Sequence, residues 1–390
     1  MKALVLKQYG RFAFEDVPAP EPGPDEVLVA VHACGICGSD VHGMDGSTGR
    51  RRPPIIMGHE AAGTISRMGR DVTAWAAGDR VTFDSTIYCG ECEFCRRGLI
   101  NLCDRRRVLG VSCEDYRRDG AFAEFVAVPQ HILYRLPERL TFEQAALVEP
   151  FAIALHAIRR SSNEPGSGQG APLTPSLSPS DGERVPKAGE GLVRAPYAGP
   201  PFVGTPPLLN DTVVVIGAGM IGLALVQALR QTGCGKLIAV DTAQDRLSLA
   251  AKLGATHTLN PGTEDAAQAI QDLTHGMGAD LAFEAVGVSA TVDLAVRSVR
   301  KGAAVTLIGN VAPKVEFPLQ VAVTRELTLH GSCASQGEYP ACLEMLARGD
   351  LDAQPLISAT APLAEGAQWF ERLYRKEPGL LKVVLKPALP

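Results

Sequence analysis

The feature that most constrains the fold is a glycine pattern, Gly217-Ala-Gly219-Met-Ile-Gly222, placed directly after the β-branched run Val213–Ile216. Three glycines at this spacing mean little alone. Between a strand and a helix, however, they allow a tight turn and a close backbone approach, which suits a pyrophosphate at the helix N-terminus. The pattern therefore predicts a parallel sheet that binds a dinucleotide.

Alternating strands and helices around this turn support the same fold. Predicted strands lie at Val213–Ile216, Leu237–Val240, Leu281–Glu284 and Val305–Ile308, and predicted helices at Leu223–Arg230 and Arg246–Leu253. Strands that alternate with helices are typical of a doubly wound parallel sheet. We therefore expect residues 209–329 to form a Rossmann domain.

The second predicted strand is followed by an acid, Asp241, which comes 19 positions after Gly222. A carboxylate there accepts hydrogen bonds from the ribose hydroxyls of NAD and repels the 2′-phosphate of NADP. Arg246 is close enough in sequence to accommodate a phosphate, so NADP stays an alternative, but the acid favours NAD. The predicted cofactor-binding residues are Gly217, Gly219, Ile221, Gly222, Asp241, Arg246, Ile308, Gly309 and Asn310.

The chain before the insertion described below has a different pattern, with short alternating strands separated by turn residues. Predicted strands lie at Lys2–Lys7, Glu26–His32, Ala61–Arg67, Asp79–Phe83 and Ala121–Val128, followed by a helix at Thr141–Ala157. Short strands at this spacing are typical of a small β-barrel or sandwich. After about His330 the pattern is mixed, and it ends in a strand at Lys382–Lys386. The prediction is an α/β protein with a β-barrel domain beside a parallel sheet.

Four of the ten cysteines lie in one loop, as Cys89-Gly-Glu-Cys92-Glu-Phe-Cys95 and, after seven residues, Cys103. Four thiolates at this spacing can surround one tetrahedral Zn²⁺ and leave no open position, which is typical of a structural site. A redox pair or a chance group of thiols is the alternative. Three cysteines at a repeat of three with a fourth nearby favour zinc.

A second group of possible metal ligands is scattered through the chain. The candidates are Cys37, the adjacent pair His59 and Glu60, and Glu149, which precedes a proline. Each of them alone is compatible with an ordinary structural role. Together, a thiolate, an imidazole and a carboxylate form a mixed ligand set that leaves a position for water or substrate, as catalytic zinc sites do.

Composition excludes several classes of function. The 390-residue chain has a formal net charge of −5 and 5% aromatic residues, so we expect no nucleic-acid or anionic-lipid partner. The longest nearly apolar run, Val213–Leu229, contains glycines and fits a buried strand and helix better than a membrane span. The charged first residues lack the apolar core of an export signal, so we predict a cytoplasmic protein.

Residues 161–208 differ in composition from the rest of the chain. Ten prolines, eight glycines and six serines make up half of these 48 residues. Such a segment buries too little apolar surface to offset the entropy lost on ordering, so we predict a disordered insertion. A lid or docking arm is the functional alternative, because long irregular loops are sometimes functional.

Several motifs together make the sequence resemble the zinc-dependent medium-chain alcohol dehydrogenases. The stretch from Gly58-His-Glu to Val72 matches the zinc signature of that family in residue type and spacing. Cys37, Ser39 and His42 match its first catalytic segment, and the four-cysteine loop matches its structural lobe. The resemblance covers the whole chain apart from the proline-rich insertion.

The resemblance implies a GroES-like β-barrel catalytic domain in residues 1–157, completed by residues 330–390, beside the Rossmann domain. Within the family, the sequence is most similar to the sorbitol and polyol dehydrogenase branch, which includes threonine and butanediol dehydrogenases. This similarity also implies a homodimer or homotetramer. The family resemblance therefore assigns every part of the chain except the insertion to one of these two domains.

The branch also implies roles for the scattered residues. Its catalytic zinc is bound by a cysteine, a histidine and a glutamate, which correspond here to Cys37, His59 and Glu60. The glutamate that matches Glu149 lies near the metal and exchanges with Glu60 or holds the zinc-bound water. The resemblance therefore implies two zinc ions per chain, one catalytic and one structural.

These features together predict an NAD-dependent oxidation of a secondary alcohol, in a polyol, sugar alcohol or diol, to a ketone. With zinc as Lewis acid, Ser39 is expected to take the alcohol proton and pass it through the cofactor ribose toward His42. The alternatives are a sugar-phosphate alcohol or L-threonine dehydrogenase of the same branch, a zinc-free quinone or enone reductase, and a non-enzymatic binding protein on this fold.

Three positions depart from the sorbitol dehydrogenases. That group has a tyrosine at the position of Gly43 and an Arg-Tyr pair that grips the polyol at Ala334 and Ser335, so three polyol contacts are absent. The zinc signature is also preceded by three arginines, residues 50–52. They could bind an anionic substrate such as a sugar phosphate, but a solvated basic turn is the simpler interpretation.

Overall fold

The chain forms two main β-sheets that differ in strand direction, which confirms the predicted α/β class. The computed structural model describes residues 1–113, 115–161 and 210–388. The predicted insertion, residues 161–208, therefore lies outside the described residues except for Ser161, which ends a helix.

The amino-terminal part consists mainly of antiparallel strands, which form most of a seven-stranded sheet, the first of the two, and also one three-stranded and two two-stranded sheets. These strands are β1 (Lys2–Gln8), β2 (Arg11–Asp16), β3 (Glu26–Gly35), β4 (Ile55–Ile56), β5 (Glu60–Met68), β6 (Arg80–Phe83), β7 (Thr86–Ile87), β8 (Arg107–Val108), β9 (Val111–Ser112), β10 (Arg117–Arg118), β11 (Phe125–Pro129) and β12 (Leu133–Arg135). The helices of this part are α1 (Gly38–Gly43), α2 (Glu93–Arg96), α3 (Phe142–Ala145) and α4 (Val148–Ser161), with 3-10 turns at Ile100–Leu102 and Gln130–Ile132. Strands β12, β6, β5 and β3 are neighbours in one sheet, and β11 pairs with the first half of β3.

Six parallel strands form the second sheet. They are β13 (Thr212–Ile216), β14 (Lys236–Val240), β15 (His257–Leu259), β16 (Ala279–Glu284), β17 (Val299–Leu307) and β18 (Thr328–Gly331). Its helices are α5 (Met220–Gln231), α6 (Gln244–Lys252), α7 (Ala266–Leu273), α8 (Ser289–Ser298) and α9 (Leu319–Thr324). The strand order is β15-β14-β13-β16-β17-β18, so the chain order reverses between β13 and β16. Ligands of such sheets bind at the carboxyl ends of the strands at this reversal, where the glycine turn lies.

The carboxyl-terminal part returns to the first sheet. Its elements are α10 (Tyr339–Arg348), β19 (Ile357–Pro362), α11 (Gly366–Tyr374) and β20 (Lys382–Lys386), with 3-10 turns at Gln354–Leu356 and Leu363–Glu365. Strand β20 pairs with the end of β3, at Val384 opposite Gly35 and Leu385 opposite Cys34. The last strand therefore lies beside the segment that carries Cys37, whereas the exact domain boundaries given above stay a prediction.

The single helix predicted over Thr141–Ala157 is wrong, because the structure has two helices, α3 and α4. Thr141 and Gln144 form a capping box at the start of α3. Pro150 explains the new start, since a proline lacks the N–H that a helix interior requires and fits only the first turn. The chain therefore restarts a helix at Val148, which places Glu149 in the first turn of α4.

The predicted strand Ala121–Val128 begins later, at Phe125, because the residues before it hydrogen-bond elsewhere. Ala121 N donates to Gly58 O at 2.8 Å, and Phe122 N donates to Met57 O at 2.9 Å. This segment therefore supports the turn that precedes His59.

Helix α4 is the structural link between the two sheets. Its buried side chains Phe151 and Leu155 belong to a core that also contains Leu223 of α5 and Tyr339 of α10. No helix in the described ranges is long and apolar enough to cross a membrane. Since α4 packs on both parts, its first turn lies where the barrel and the parallel sheet face each other.

Candidate active site

Three of the scattered candidates meet between α1 and β5. The sulfur of Cys37, a ring nitrogen of His59 and a carboxylate oxygen of Glu60 all lie within 4.8 Å of one another. Cys37 is the N-cap residue of α1, and Glu60 begins β5. His59 and Glu60 are both buried. Their donor types and closeness fit a mixed sulfur, nitrogen and oxygen site for one zinc ion.

The turn that presents His59 requires a glycine. Gly58 has a φ of +95°, in the left-handed region that side chains disfavour. A Cβ at this position would lie 2.8 Å from Phe122 N and 2.9 Å from Cys34 Sγ. The glycine of the Gly-His-Glu motif is therefore explained by backbone shape and close packing.

Asp40 orients His59, a role that no sequence motif indicated. Its Oδ2 lies 3.3 Å from His59 Nδ1, while its Oδ1 accepts a hydrogen bond from Arg51 Nη2 at 2.9 Å. Burial would raise the pKa of Asp40, but the charges of His59 and Arg51 lower this pKa to about 2. Asp40 therefore stays ionised and faces Nδ1, which leaves Nε2 for a metal ion, as in many zinc sites.

Arg51 corrects the prediction of a solvated basic turn. Its side chain is 4% exposed, bonds to Asp40 and places Nη2 3.4 Å from Ser39 Oγ, so it does not belong to a solvated turn. Arg50 and Arg52 are exposed, as predicted for a turn. The partner that buries Arg51 is Asp40, three residues after Cys37. Sequence alone does not distinguish such a buried carboxylate from one at the surface.

Glu60 pairs with a buried lysine from the other end of the chain. Lys382 Nζ, on β20, donates to Glu60 Oε2 and to Ile36 O, the latter at 3.1 Å. Burial would lower the pKa of Lys382, but the charge of Glu60 raises it. The pair is therefore ionic, and Glu60 faces both a cation of the chain and the metal position.

Glu149 lies near the cluster but is not one of its three members. Its Oε2 accepts a hydrogen bond from the Tyr339 hydroxyl at 3.2 Å. Burial raises the pKa of Glu149, the charge of His59 lowers it, and the charge of Glu60 raises it further. The structure therefore brings Glu60, and not Glu149, into the group of candidate ligand atoms.

Ser39 and His42 lie three positions apart on α1, so they share one side of this helix. Both residues are exposed. Ser39 Oγ lies 3.4 Å from His59 Nε2, next to the candidate metal position. A hydroxyl beside the metal position and an imidazole further along the same face can form the two ends of a proton path.

The four cysteines of the loop also come together. The sulfur atoms of Cys89, Cys92, Cys95 and Cys103 all lie within 4.8 Å of one another. Cys89 Sγ and Cys95 Sγ are 3.9 Å apart, close to the about 3.8 Å that a tetrahedral ion with ~2.3 Å zinc–sulfur bonds requires. Burial would raise the pKa of Cys89, but backbone N–H groups lower it to about 6. The loop therefore fits a zinc ion, and its backbone N–H groups favour the thiolate form of Cys89.

The glycine turn has the geometry of a pyrophosphate site. Gly217 has a φ of +94°, and a Cβ at Gly222 would overlap the carbonyl oxygen of Gly217. Gly219 is the N-cap of α5, and a Cβ there would meet nothing within 4 Å. Ile221 follows in the first turn of α5. The space before the helix is therefore open, where backbone N–H groups can bind phosphate.

Asp241 lies beside this turn, after the end of β14. Its carboxylate accepts hydrogen bonds from Ala218 N at 2.7 Å and Ala243 N at 2.8 Å. Arg246 lies in the first turn of α6 and forms no ion pair within the described ranges. The carboxylate is therefore held next to the dinucleotide turn, where a ribose hydroxyl would meet it.

Ile308, Gly309 and Asn310 follow β17 at the same edge of the sheet. A Cβ at Gly309 would overlap the backbone of Gly287, which lies in the loop after the neighbouring strand β16. Glu284 stabilises both loops, since its Oε1 accepts from Gly287 N at 2.8 Å and its backbone oxygen accepts from Ile308 N and Gly309 N. These residues thus lie at the carboxyl edge of the parallel sheet, close to the glycine turn, since a Cβ at Gly217 would meet Val286.

Comparisons with known proteins identify the family. Residues 23–138 match the alcohol dehydrogenase GroES-like domain, and residues 221–348 match the zinc-binding dehydrogenase domain. The chain is 31% identical to the sorbitol dehydrogenase of Bacillus subtilis over 392 aligned residues, which cover 99% of this chain and 97% of that protein. The chain belongs to the zinc-dependent medium-chain alcohol dehydrogenases.

Solved structures of related dehydrogenases share the whole fold. The alcohol dehydrogenase from Thermus sp. ATN1 is 30% identical, has a TM-score of 0.82, and matches over 100% of both chains. The galactitol-1-phosphate dehydrogenase from Escherichia coli is 26% identical, has a TM-score of 0.81, and covers 99% of this chain and 100% of its own. The resemblance stated from the sequence is confirmed.

This dehydrogenase is therefore an NAD-dependent zinc oxidoreductase that acts on alcohols. Its two groups of candidate ligands fit the two zinc ions predicted per chain. The alternatives of a zinc-free reductase and of a binding protein gain no support, because the mixed donor set is complete and closely spaced.

Proposed function

We propose that this dehydrogenase oxidises a secondary alcohol of an uncharged polyol, sugar alcohol or diol to a ketone and reduces NAD. The observation that carries the proposal is the mixed donor group of Cys37, His59 and Glu60 beside the exposed hydroxyl of Ser39. The donor group supports a zinc ion with an open position for a substrate oxygen. The hydroxyl supports removal of a proton at that position.

When bound, zinc supplies Lewis-acid chemistry at the substrate oxygen, and NAD supplies the hydride acceptor. In this proposal the chain's own residues transfer the proton of the alcohol. Ser39 Oγ takes the alcohol proton, and His42, exposed on the same side of α1, releases it to solvent. Asp40 keeps the His59 ring in place through the contact with Nδ1.

We assign different roles to the two glutamates. Glu60 serves as the third ligand, which its place in the donor cluster supports. Glu149 accepts a hydrogen bond from a water or a substrate hydroxyl, which its position near His59 and Glu60 and its bond with Tyr339 support. Lys382 compensates the charge of Glu60 through their buried ion pair.

The charges around the site favour an uncharged substrate over a phosphate ester. The positive charge of Arg51 is paired with the buried carboxylate of Asp40, so it does not stand free to bind a phosphate. The buried carboxylate of Asp84 and that of Glu149 repel each other, and this repulsion adds to the burial that raises the pKa of Asp84. An anionic substrate would add a further negative charge to the same region.

We also infer that the protein works in the cytoplasm as a homodimer or homotetramer. None of the ten cysteines, all of which lie in the described ranges, forms a disulfide, and chains rich in reduced cysteines are typical of a reducing compartment. Large apolar side chains are exposed near the open edge of the parallel sheet, at Val311, Val315, Leu319, Val323 and Leu329. An exposed apolar row beside an unpaired strand favours association with a second copy.

The proposal is tested by NADH formation with a panel of alcohols: sorbitol, xylitol, 2,3-butanediol, L-threonine and a sugar-alcohol phosphate. We expect turnover of an uncharged polyol or diol by protein that holds two zinc ions per chain. Cys37→Ala should lose one zinc ion and all measurable turnover, whereas Glu93→Gln, in an exposed ion pair, should match the wild type. Turnover of the phosphate ester or of L-threonine alone would contradict the substrate class.

A further inference from the structure

The segment that connects β18 to α10, residues 332–338, crosses from the parallel sheet back to the barrel; we term it the return segment. Its backbone has an unusual shape. Ala334 has a φ of +54°, in the left-handed region, and Gly337 has a φ of +85°. A non-glycine residue keeps such a conformation only where its surroundings fix it.

The surroundings that fix it on one side belong to the four-cysteine loop. Asn101 Nδ2 donates to Cys333 O at 2.8 Å, and Gln336 Nε2 donates to Gly98 O at 2.9 Å. Arg106 Nη1 lies 3.2 Å from Cys333 Sγ and also donates to Asn101 O. Asn101 is 4% exposed. Gly98 and Asn101 lie between the third and fourth cysteines, in the part of the four-cysteine loop that a zinc ion would hold closed.

On its other side, the return segment contacts groups next to the candidate metal position. Ser335 Oγ donates to Asp84 Oδ2 at 2.9 Å, and both side chains are buried. Directly after the segment, Tyr339 donates from its hydroxyl to Glu149 Oε2. Glu338 accepts from His156 of α4 and so fixes the end of the segment. The segment thus lies between the four-cysteine loop and the acids of the active site.

We propose that the four-cysteine loop positions the active site, with Asn101 and Gln336 as positioning residues. The zinc-closed loop fixes Gly98 and Asn101, these fix the return segment, and the segment fixes Tyr339 against Glu149 and Ser335 against Asp84. The loop therefore acts on catalysis as well as on stability. The inference rests on the proposed function only for the alcohol that serves as the assay substrate.

The test compares Asn101→Ala, Gln336→Ala and the double variant with Glu93→Gln, an exposed change in the same loop that leaves the return segment untouched. Each single variant should lower kcat/KM for the alcohol by about three- to tenfold, the effect of one lost hydrogen bond. The KM for NAD should stay within twofold, and both zinc ions should stay bound. The double variant should lose less than the product of the singles, because both bonds restrain one segment.

Hydrogen exchange measured by mass spectrometry gives a readout that does not depend on the substrate. Amides of residues 333–338 should exchange faster in both single variants and at the wild-type rate in Glu93→Gln. Gln336 is only partly buried, so its variant keeps the test valid if Asn101→Ala does not fold.

Two results would overturn the inference. Faster exchange with kcat/KM within twofold of the wild type would show a purely structural contact. A loss of activity that parallels loss of zinc would show an effect of metal loss and not of positioning. A wrong substrate class is recognised separately, because the wild type itself would then be inactive with the chosen alcohol.

Discussion

The two candidate zinc sites are built in opposite ways. All four thiolates of the structural loop come from residues 89–103, and the loop's own backbone N–H groups hydrogen-bond to its sulfurs. The three donors near α1 depend instead on charges from distant elements, Arg51 through Asp40 and Lys382 through Glu60. A local site gains its order from sequence spacing, whereas a mixed, open site needs buried ion pairs that only the complete fold supplies.

The largest effect should follow from opening the local site. Cys92→Ala should reduce the free energy of unfolding by roughly 5 kcal/mol or more, because the binding energy of a structural zinc is folding energy. Cys37→Ala should change it much less while removing turnover. Chemical denaturation together with zinc analysis measures both, and equal losses of stability in the two variants would remove the distinction between the sites.

The second prediction concerns the buried pair of the mixed site. Lys382→Met leaves the Glu60 carboxylate without its buried cation, so the zinc-free protein should lose about 3–5 kcal/mol of stability. The loss should be smaller with zinc bound, since the ion then compensates Glu60.

Lys386→Met is the matched control for that change. It lies on the same strand and pairs with Glu143 at the surface, so it should cost less than about 1 kcal/mol. Chemical denaturation of both variants, with and without zinc, measures the stability that each change removes. Equal costs for the two lysines would contradict a special role of the buried pair.

The third prediction concerns the orientation of His59. Asp40→Asn keeps the shape of the side chain but removes its charge, so zinc affinity at the mixed site should fall about 10- to 100-fold. Asp45→Asn, an exposed change in the loop after α1, should have no such effect. Competition with a chelator measures the affinity, and an Asp40→Asn variant that binds zinc as tightly as the wild type would refute the role of Asp40.

The last prediction concerns a gradual dependence of stability on pH that comes from Asp84. Burial and the nearby Glu149 raise the pKa of Asp84 to about 7. A carboxyl group with a raised folded-state pKa contributes stability that is present below about pH 4 and is lost as pH rises through 7. Stability should fall in this window by at most about 1.4 kcal/mol per pH unit, and less in Asp84→Asn. Parallel pH profiles of the two proteins would refute the assignment.

The sequence predicted those features that depend on the spacing of residues within short motifs. The glycine turn, the four-cysteine loop and the donors Cys37, His59 and Glu60 were all identified from short motifs, and the structure brings the members of each group together. The break between α3 and α4 was also available from the sequence, because Pro150 fits the first turn of a helix but not the middle of one helix over Thr141–Ala157.

What the sequence did not predict depends on contacts between distant residues. Lys382 lies 322 positions from Glu60, and no local pattern marks a single lysine in a strand as buried. Arg51 was assigned to solvent because three consecutive arginines usually form an exposed turn. Its burial follows from Asp40, whose own burial depends on the packing of α1 against the barrel.

The position of Lys382 on the last strand also sets an order of events during synthesis. A ribosome makes Glu60 long before it makes the lysine that neutralises it, and domains begin to fold while the chain is still growing. Until β20 emerges, the Glu60 carboxylate has no cation of the chain beside it, and this edge of the barrel is still uncovered. Each newly made chain therefore passes through a stage in which the negative charge of Glu60 has no lysine beside it, and the donor group becomes charge-balanced only when the last strand is added to the sheet.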